Sequence, residues 1–267
     1  MGTHSKRGFT IIETMLVLAI TGIMIAGLLV GLGSSISNQR YLDAVYSFKS
    51  LVQDQYSKIN NVTNDRDTNW TCAANATPVQ NGTGGTAPGQ SECVLLGRYI
   101  SIVNDQVTMA TVVGYPISGK ASSGTVSSIK SGYKLGISTS SIETTLLEWG
   151  TQITWPASGG GSRSETSPRS LAILMIRSPE NGTSFTFTSD TVNQIDSVSS
   201  TTLTDMMQAT VTSSPGQGPR TVCLDPGGGL IVPEKLAVYL GAGASGPGSI
   251  EVRSKALTAA AGGDTQC

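Results

Sequence analysis

The hydrophobic pattern changes period along the chain. From Met15 to Leu32 the sequence MLVLAITGIMIAGLLVGL passes eighteen residues without a charge, about 27 Å of helix at ~1.5 Å per residue. That is membrane-spanning length. Beyond it Leu42, Val45, Phe48, Leu51, Val52, Tyr56 and Ile59 recur at spacings of three and four, while Arg40, Asp43, Lys49, Gln53 and Lys58 fall between them. This is the signature of an amphipathic half-helix that lays one face on a sheet. The two patterns together predict one rod from about Phe9 to Asn60, ended by the Asn, Asp and Thr run at 60–69.

The polar stretch 70–92, with Pro78, Pro88 and several glycines, reads as a loop. Strand candidates follow at 93–103, 107–113, 133–138, 151–155, 170–177, 183–188, 221–224, 235–241 and 249–253. Each is short, rich in β-branched or aromatic residues, and bounded by Gly, Pro, Ser or Asn. Short helices are predicted around Ser141–Trp149 and Leu203–Ala209. No internal repeat is evident, and the glycine clusters at 159–161 and 227–229 read as loops. The expected class is α+β: a long N-terminal helix packed on an antiparallel, β-rich head.

Composition adds a compartment. Charged residues are 13%, aromatics 5%, and the four cysteines suit an oxidising exterior. Lys6 and Arg7 precede the apolar run and should hold the N-terminus in the cytoplasm, which puts everything after Arg40 outside. The single histidine is His4, so the body has no imidazole for a Ser-His or Cys-His pair or for a His-ligated metal. No catalytic residue, metal or cofactor is expected. The net charge is −1, and −3 once Lys6 and Arg7 are lost with a leader, so there is no global electrostatic footprint for nucleic acid.

A secretory signal peptide ending near Gly31 and Gly33 is the competing reading of the N-terminus, but the apolar run exceeds the usual ~7 to 15 residues and Glu13 stands at its start. A carboxylate there is expensive: about 2.5–3.5 kcal/mol at the centre of a membrane helix, less near its end. It therefore calls for a partner. Removal of Met1 to Gly8 would give Phe9 a new ammonium four residues from Glu13, and the two charges could neutralise each other between chains.

Lys6-Arg7-Gly8-Phe9-Thr10-Ile11-Ile12-Glu13 and the apolar helix after it closely resemble the prepilin cleavage and methylation motif of type IV pilins and type II secretion pseudopilins. The resemblance covers about the first forty residues. It implies that a prepilin peptidase cuts after Gly8 on the cytoplasmic face and methylates Phe9, and that Glu13 takes the role of the family's assembly glutamate. The implied organisation is a leader at 1–8, an anchor and filament-core helix at 9–60, and an extracytoplasmic head at 61–267. The implied partners are other pilin or pseudopilin subunits, the prepilin peptidase, an inner-membrane assembly platform, and membrane lipid before assembly. One departure stands out: many members have a proline late in the helix, whereas this chain has none before Pro78 and carries Gly22, Gly27, Gly31 and Gly33 instead. Each glycine costs about 1 kcal/mol of helix propensity relative to Ala; they would serve either local helix melting or close packing of neighbouring helices. In strand spacing the head vaguely resembles the GspH/FimT-type pseudopilin head.

Other patterns carry less. Gly114 to Lys120 matches most of a P-loop, but Ala121 replaces the magnesium-binding hydroxyl and Pro116 stiffens the loop. Ser127 to Lys134 holds overlapping S-x-x-K and K-S-G patterns, which a penicillin-recognising enzyme would draw from separate elements. Asn-x-Ser/Thr sequons at Asn61, Asn69, Asn75, Asn81 and Asn181 mark surface loops. Arg163, Arg169 and Arg177 read as a solvated face, with a local patch for extracellular DNA as the alternative.

Four cysteines allow three connectivities. Cys72 and Cys93 bracket the polar 70–92 stretch, and Cys267 ends a tail that would need an anchor, leaving Cys223. The expected pairs are Cys72 with Cys93 and Cys223 with Cys267. Two functions are carried forward: a prepilin-like subunit, whose large head suggests a minor pilin or pseudopilin of a cell-surface filament, and a membrane-tethered binding module or adhesin that never polymerises.

Overall fold

The computed structural model describes residues 10–61, 70–80, 90–119, 123–154, 170–189, 194–207, 220–226, 235–241 and 245–254. A single helix, α1 (Ile11–Asn61), contains both halves anticipated from the sequence, while Phe9 lies outside the described residues. A small hairpin pairs β1 (Trp70–Cys72) with β2 (Pro78–Gln80). Then come β3 (Val94–Val103), β4 (Gln106–Pro116), α2 (Val126–Gly132), β5 (Tyr133–Leu146), β6 (Gln152–Thr154), β7 (Leu171–Arg177) and β8 (Ser184–Ser189). The chain continues through α3 (Ser200–Met206), β9 (Arg220–Asp225), β10 (Ala237–Leu240) and β11 (Ile250–Arg253).

These strands form a five-stranded sheet in the order β5-β4-β3-β7-β8 and a four-stranded sheet in the order β11-β10-β9-β6, antiparallel throughout. The expected α+β class is what the fold shows. The five-stranded sheet is covered on both faces. Ile100, Ile102, Leu171, Ile173 and Met175 meet the head half of α1 and the smaller sheet. Tyr99, Ala172, Leu174 and Ile176 point the other way, onto Ile129 of α2 and Leu203 and Met206 of α3. Double coverage explains why β7 reads LAILMIR without polar alternation.

Gly97 is dictated by backbone proximity: a β-carbon there would lie 1.9 Å from the Met175 carbonyl oxygen. The register of β3 on β4 shifts between Leu95 and Gly97, and this bulge puts Leu96 and Tyr99 in one cluster despite their odd spacing.

Two sequence expectations need correction. The helix expected at Ser141–Trp149 is instead the second half of β5, paired from Met109↔Glu143 to Gln106↔Leu146, and only Glu148–Gly150 forms a 3₁₀ turn. Ladder pairing of the β-branched run outweighs a weak helical period. The stretch 70–92 is not wholly loop, since it holds the β1–β2 hairpin, turned through Ala76 at φ 63°. The β4–β5 connection contains α2, whose Thr125 side chain accepts the Ser128 amide (3.2 Å) while Ser128 Oγ accepts the Thr125 amide (3.0 Å). That reciprocal cap uses Ser where the usual sequence pattern has Glu or Gln. The other expected helix is present as α3, starting three residues earlier behind Ser199; Ala209 lies outside the described residues.

Candidate functional site

The N-terminal half of α1 touches none of the described residues of the head. Apolar residues from Ile11 through Leu32 to Ile36 are exposed, and the segment is long and apolar enough to cross a membrane, with none of it buried in the fold. Three of its hydroxyl side chains bond back onto the helix. Thr14 Oγ1 donates to the Ile11 carbonyl at 2.8 Å, Thr21 Oγ1 to Val17 at 2.8 Å, and Ser34 Oγ to Gly31 at 3.0 Å. Such back-bonding satisfies a hydroxyl where water is absent.

Glu13 lies in the first turn, its amide donating to Thr10 at the carbonyl (3.1 Å) and at Oγ1 (3.3 Å). Its carboxylate has no hydrogen-bond or ion-pair partner among the described residues. Gly8 and Phe9 lie outside those residues, so the cleavage and methylation positions and the Phe9 ammonium do too. The helix runs unbroken through Gly22, Gly27, Gly31 and Gly33, where a β-carbon would meet nothing within 4 Å. No contact among the described residues therefore requires these glycines.

The other half of α1 is locked into the head. Tyr41, Val45, Phe48, Val52, Tyr56 and Ile59 form the core between the two sheets. The Tyr56 hydroxyl is bonded to Thr186 of β8, and burial pushes its pKa up to about 12, opposed in part by that bond. Across from the last turns of α1, the Arg98 guanidinium is buried. It donates to Gln55 Oε1 (2.8 Å), Thr111 Oγ1 (2.9 Å) and Glu143 Oε1 (2.9 Å). Lys58 reaches both oxygens of Glu143, at 2.9 and 2.8 Å. Burial alone would raise the Glu143 pKa, but Lys58 and Arg98 outweigh it and hold it below the ordinary carboxylate value.

Cys72 and Cys93 are disulfide-bonded, as expected, tying the β1–β2 hairpin to the start of β3. Cys223, buried in β9, is not a free thiol, and its expected partner Cys267 lies outside the described residues.

The remaining candidates do not converge. Gly114 lies inside β4, α2 begins only at Val126, and Lys120 lies outside the described residues, so no helix N-terminus follows the P-loop-like run directly. Ser127, Ser128, Lys130 and Ser131 share one seven-residue helix, where Ser128 and Ser131 hydroxyls donate to Thr125 (2.8 Å) and Ser128 (3.3 Å) carbonyls. Asn75 and Asn181 accept the amides of Thr77 (3.2 Å) and Thr183 (3.0 Å) in tight turns; Asn61 ends α1, and Asn69 and Asn81 lie outside the described residues. Arg177 donates to the Gly182 carbonyl at 3.4 Å, and its proposed neighbours Arg163 and Arg169 lie outside the described residues. Sequence reasoning missed Tyr41, Gln55 and Arg98; only the i, i+4 spacing of Tyr41 and Val45 signals the first.

Residues 3–29 match the family described as the prokaryotic N-terminal methylation motif, typical of type IV pilins and pseudopilins. The chain thus carries the motif of a prepilin-type substrate, which implies processing by a prepilin peptidase and association with other pilin subunits. No curated protein and no solved structure matches the chain, and the likeness to GspH/FimT-type heads has no support from them.

Proposed function

We propose that this chain is a structural subunit of a type IV pilus or related filament, a minor pilin or pseudopilin in keeping with its large head, and not an enzyme. The observation that carries the reading is the division of α1: one unbroken helix, headed by the methylation motif, exposes its first half and buries its second in the head. In this reading the peptidase hydrolyses the Gly8–Phe9 bond, releasing residues 1–8, and the Phe9 amine takes a methyl group from a sulfonium methyl donor, with loss of a proton from nitrogen and release of the thioether. Lys6 and Arg7 keep that end in the cytoplasm. The exposed half of α1, within 9–60, spans the cytoplasmic membrane, and the head at 61–267 stands outside it, later on the cell surface. Assembly on an inner-membrane platform then moves the apolar half from lipid to neighbouring helices.

Glu13 has its part in that transfer. Its carboxylate, without a partner among the described residues, would meet the Phe9 ammonium of an adjacent subunit, where attraction is poorly screened and an unpaired charge is costly. The glycine row would let adjacent helices approach closely. The test is incorporation of Glu13→Ala in cells lacking the wild-type chain: membrane insertion and head folding should persist while the amount in sheared filaments falls. Undiminished incorporation overturns the role of Glu13. Absence of the wild-type chain itself from every filament fraction favours a membrane-tethered binding module.

A further inference from the structure

The head has an apolar end beside the point where α1 leaves it. Trp149 is 49% exposed and held at φ 56°, an unusual backbone for a bulky side chain, in the turn after β5. Around the same end lie Leu146, 62% exposed, and Val103, 40% exposed, linked by the Val103↔Gln106 and Gln106↔Leu146 register. The Arg40 guanidinium lies 4.7 Å from the centre of the Trp149 ring and has no carboxylate partner among the described residues. Glu148 beside it is turned to Ser47, accepting its hydroxyl at 2.9 Å.

We propose that Arg40 and Trp149 form a footing on phospholipid: Arg40 binds lipid phosphate while the Trp149 indole sits at the headgroup boundary on the outer face of the membrane. The proposal rests on the membrane-inserted subunit described above. Ile11 to Leu32 spans about 33 Å as helix, against ~30 Å for the hydrocarbon core. Arg40 lies about 12 Å of helical rise beyond Leu32. Long helical side chains lean toward the N-terminus, bringing the guanidinium about one turn, ~5 Å, back toward the bilayer. It therefore reaches the headgroup layer, which adds roughly 5–8 Å to each side of the core. An Arg fork matches phosphate oxygens, and indole is an interfacial anchor by its amphipathic ring. Footing there would fix the depth and tilt of α1 before assembly.

The full chain, inserted into phosphatidylcholine–phosphatidylglycerol vesicles, tests this. Lipids carrying a nitroxide on the headgroup or in mid-chain serve as quenchers. Subtracting Trp149→Phe from wild type isolates one of the three tryptophans, and matched denaturation midpoints check that the variant is folded. The headgroup nitroxide should remove most of the Trp149 emission, the mid-chain nitroxide less, and Arg40→Gln, an exposed change, should reduce the headgroup effect. Co-flotation of the chain with vesicles but an unquenched Trp149 overturns the footing while membrane insertion stands. Failure to co-float overturns both. A Trp149 signal that changes only in filaments, and not in vesicles, assigns the patch to a neighbouring subunit and overturns the lipid contact.

Discussion

The Tyr41 hydroxyl donates to the carbonyl oxygen of Leu224 at 2.8 Å, across 183 residues of sequence. The Tyr41 hydroxyl oxygen in turn accepts the Leu236 amide at 2.6 Å, so one phenol bridges β9 and the approach to β10 where α1 enters the head. Any load along the helix reaches the smaller sheet through this point as well as through apolar packing. Tyr41→Phe keeps the ring but strands a buried carbonyl and a half-buried amide, and should destabilise the head by about 1–3 kcal/mol. A lowered urea midpoint with an unchanged slope, measured on the detergent-solubilised chain, is the expected result; an unchanged midpoint removes Tyr41 from the account.

The second coupling is ionic and depends on pH. Because the folded-state pKa of Glu143 is depressed, its contribution is fully present above the unfolded value, about 4.3, and is lost as pH falls through the folded value. Its side chain is 44% exposed, so screening keeps the contribution modest. Glu143→Gln should lower the urea midpoint at pH 7 and have a smaller effect at pH 3, below the unfolded value, where part of the charge contribution is already lost. A variant whose deficit is as large at pH 3 as at pH 7 points to packing instead of charge.

The disulfide offers a local prediction. Cys72 and Cys93 close a loop with a sequence separation of 21, worth about 3 kcal/mol in the chain-entropy model. Cys72→Ala with Cys93→Ala should speed proteolysis and amide exchange in the β1–β2 hairpin more than in β3 and β7, which are buried in the sheet. Non-reducing peptide mapping should recover the Cys72–Cys93 peptide and join Cys223 to Cys267. A peptide joining Cys72 to Cys223 contradicts both pairings.

The two halves of α1 were legible because each repeats one period over many residues: unbroken apolarity to Leu32, then spacings of three and four to Ile59. The buried strands were legible for the same reason, β7 most clearly. What escaped depends on partners distant in sequence. Arg98 looks like a surface cation until Gln55, Thr111 and Glu143 converge on it from α1, β4 and β5. The end of β5 looks helical until β4 supplies its ladder. At the N-terminal end of α1 Glu13 was legible because a charge among apolar residues needs an explanation, whereas the Arg40–Trp149 pair joins positions more than a hundred residues apart.

The central claim, a prepilin-like subunit processed at Gly8, is tested most directly by the intact mass of the mature chain from membranes and sheared filaments. It should lack Met1 to Gly8 and carry one added methyl group on Phe9. Gly8→Val, which puts a β-branched side chain where an extended backbone must enter the peptidase, should accumulate at precursor mass. Retention of Met1 in the wild type, or a mass corresponding to cleavage near Gly33, would contradict the account.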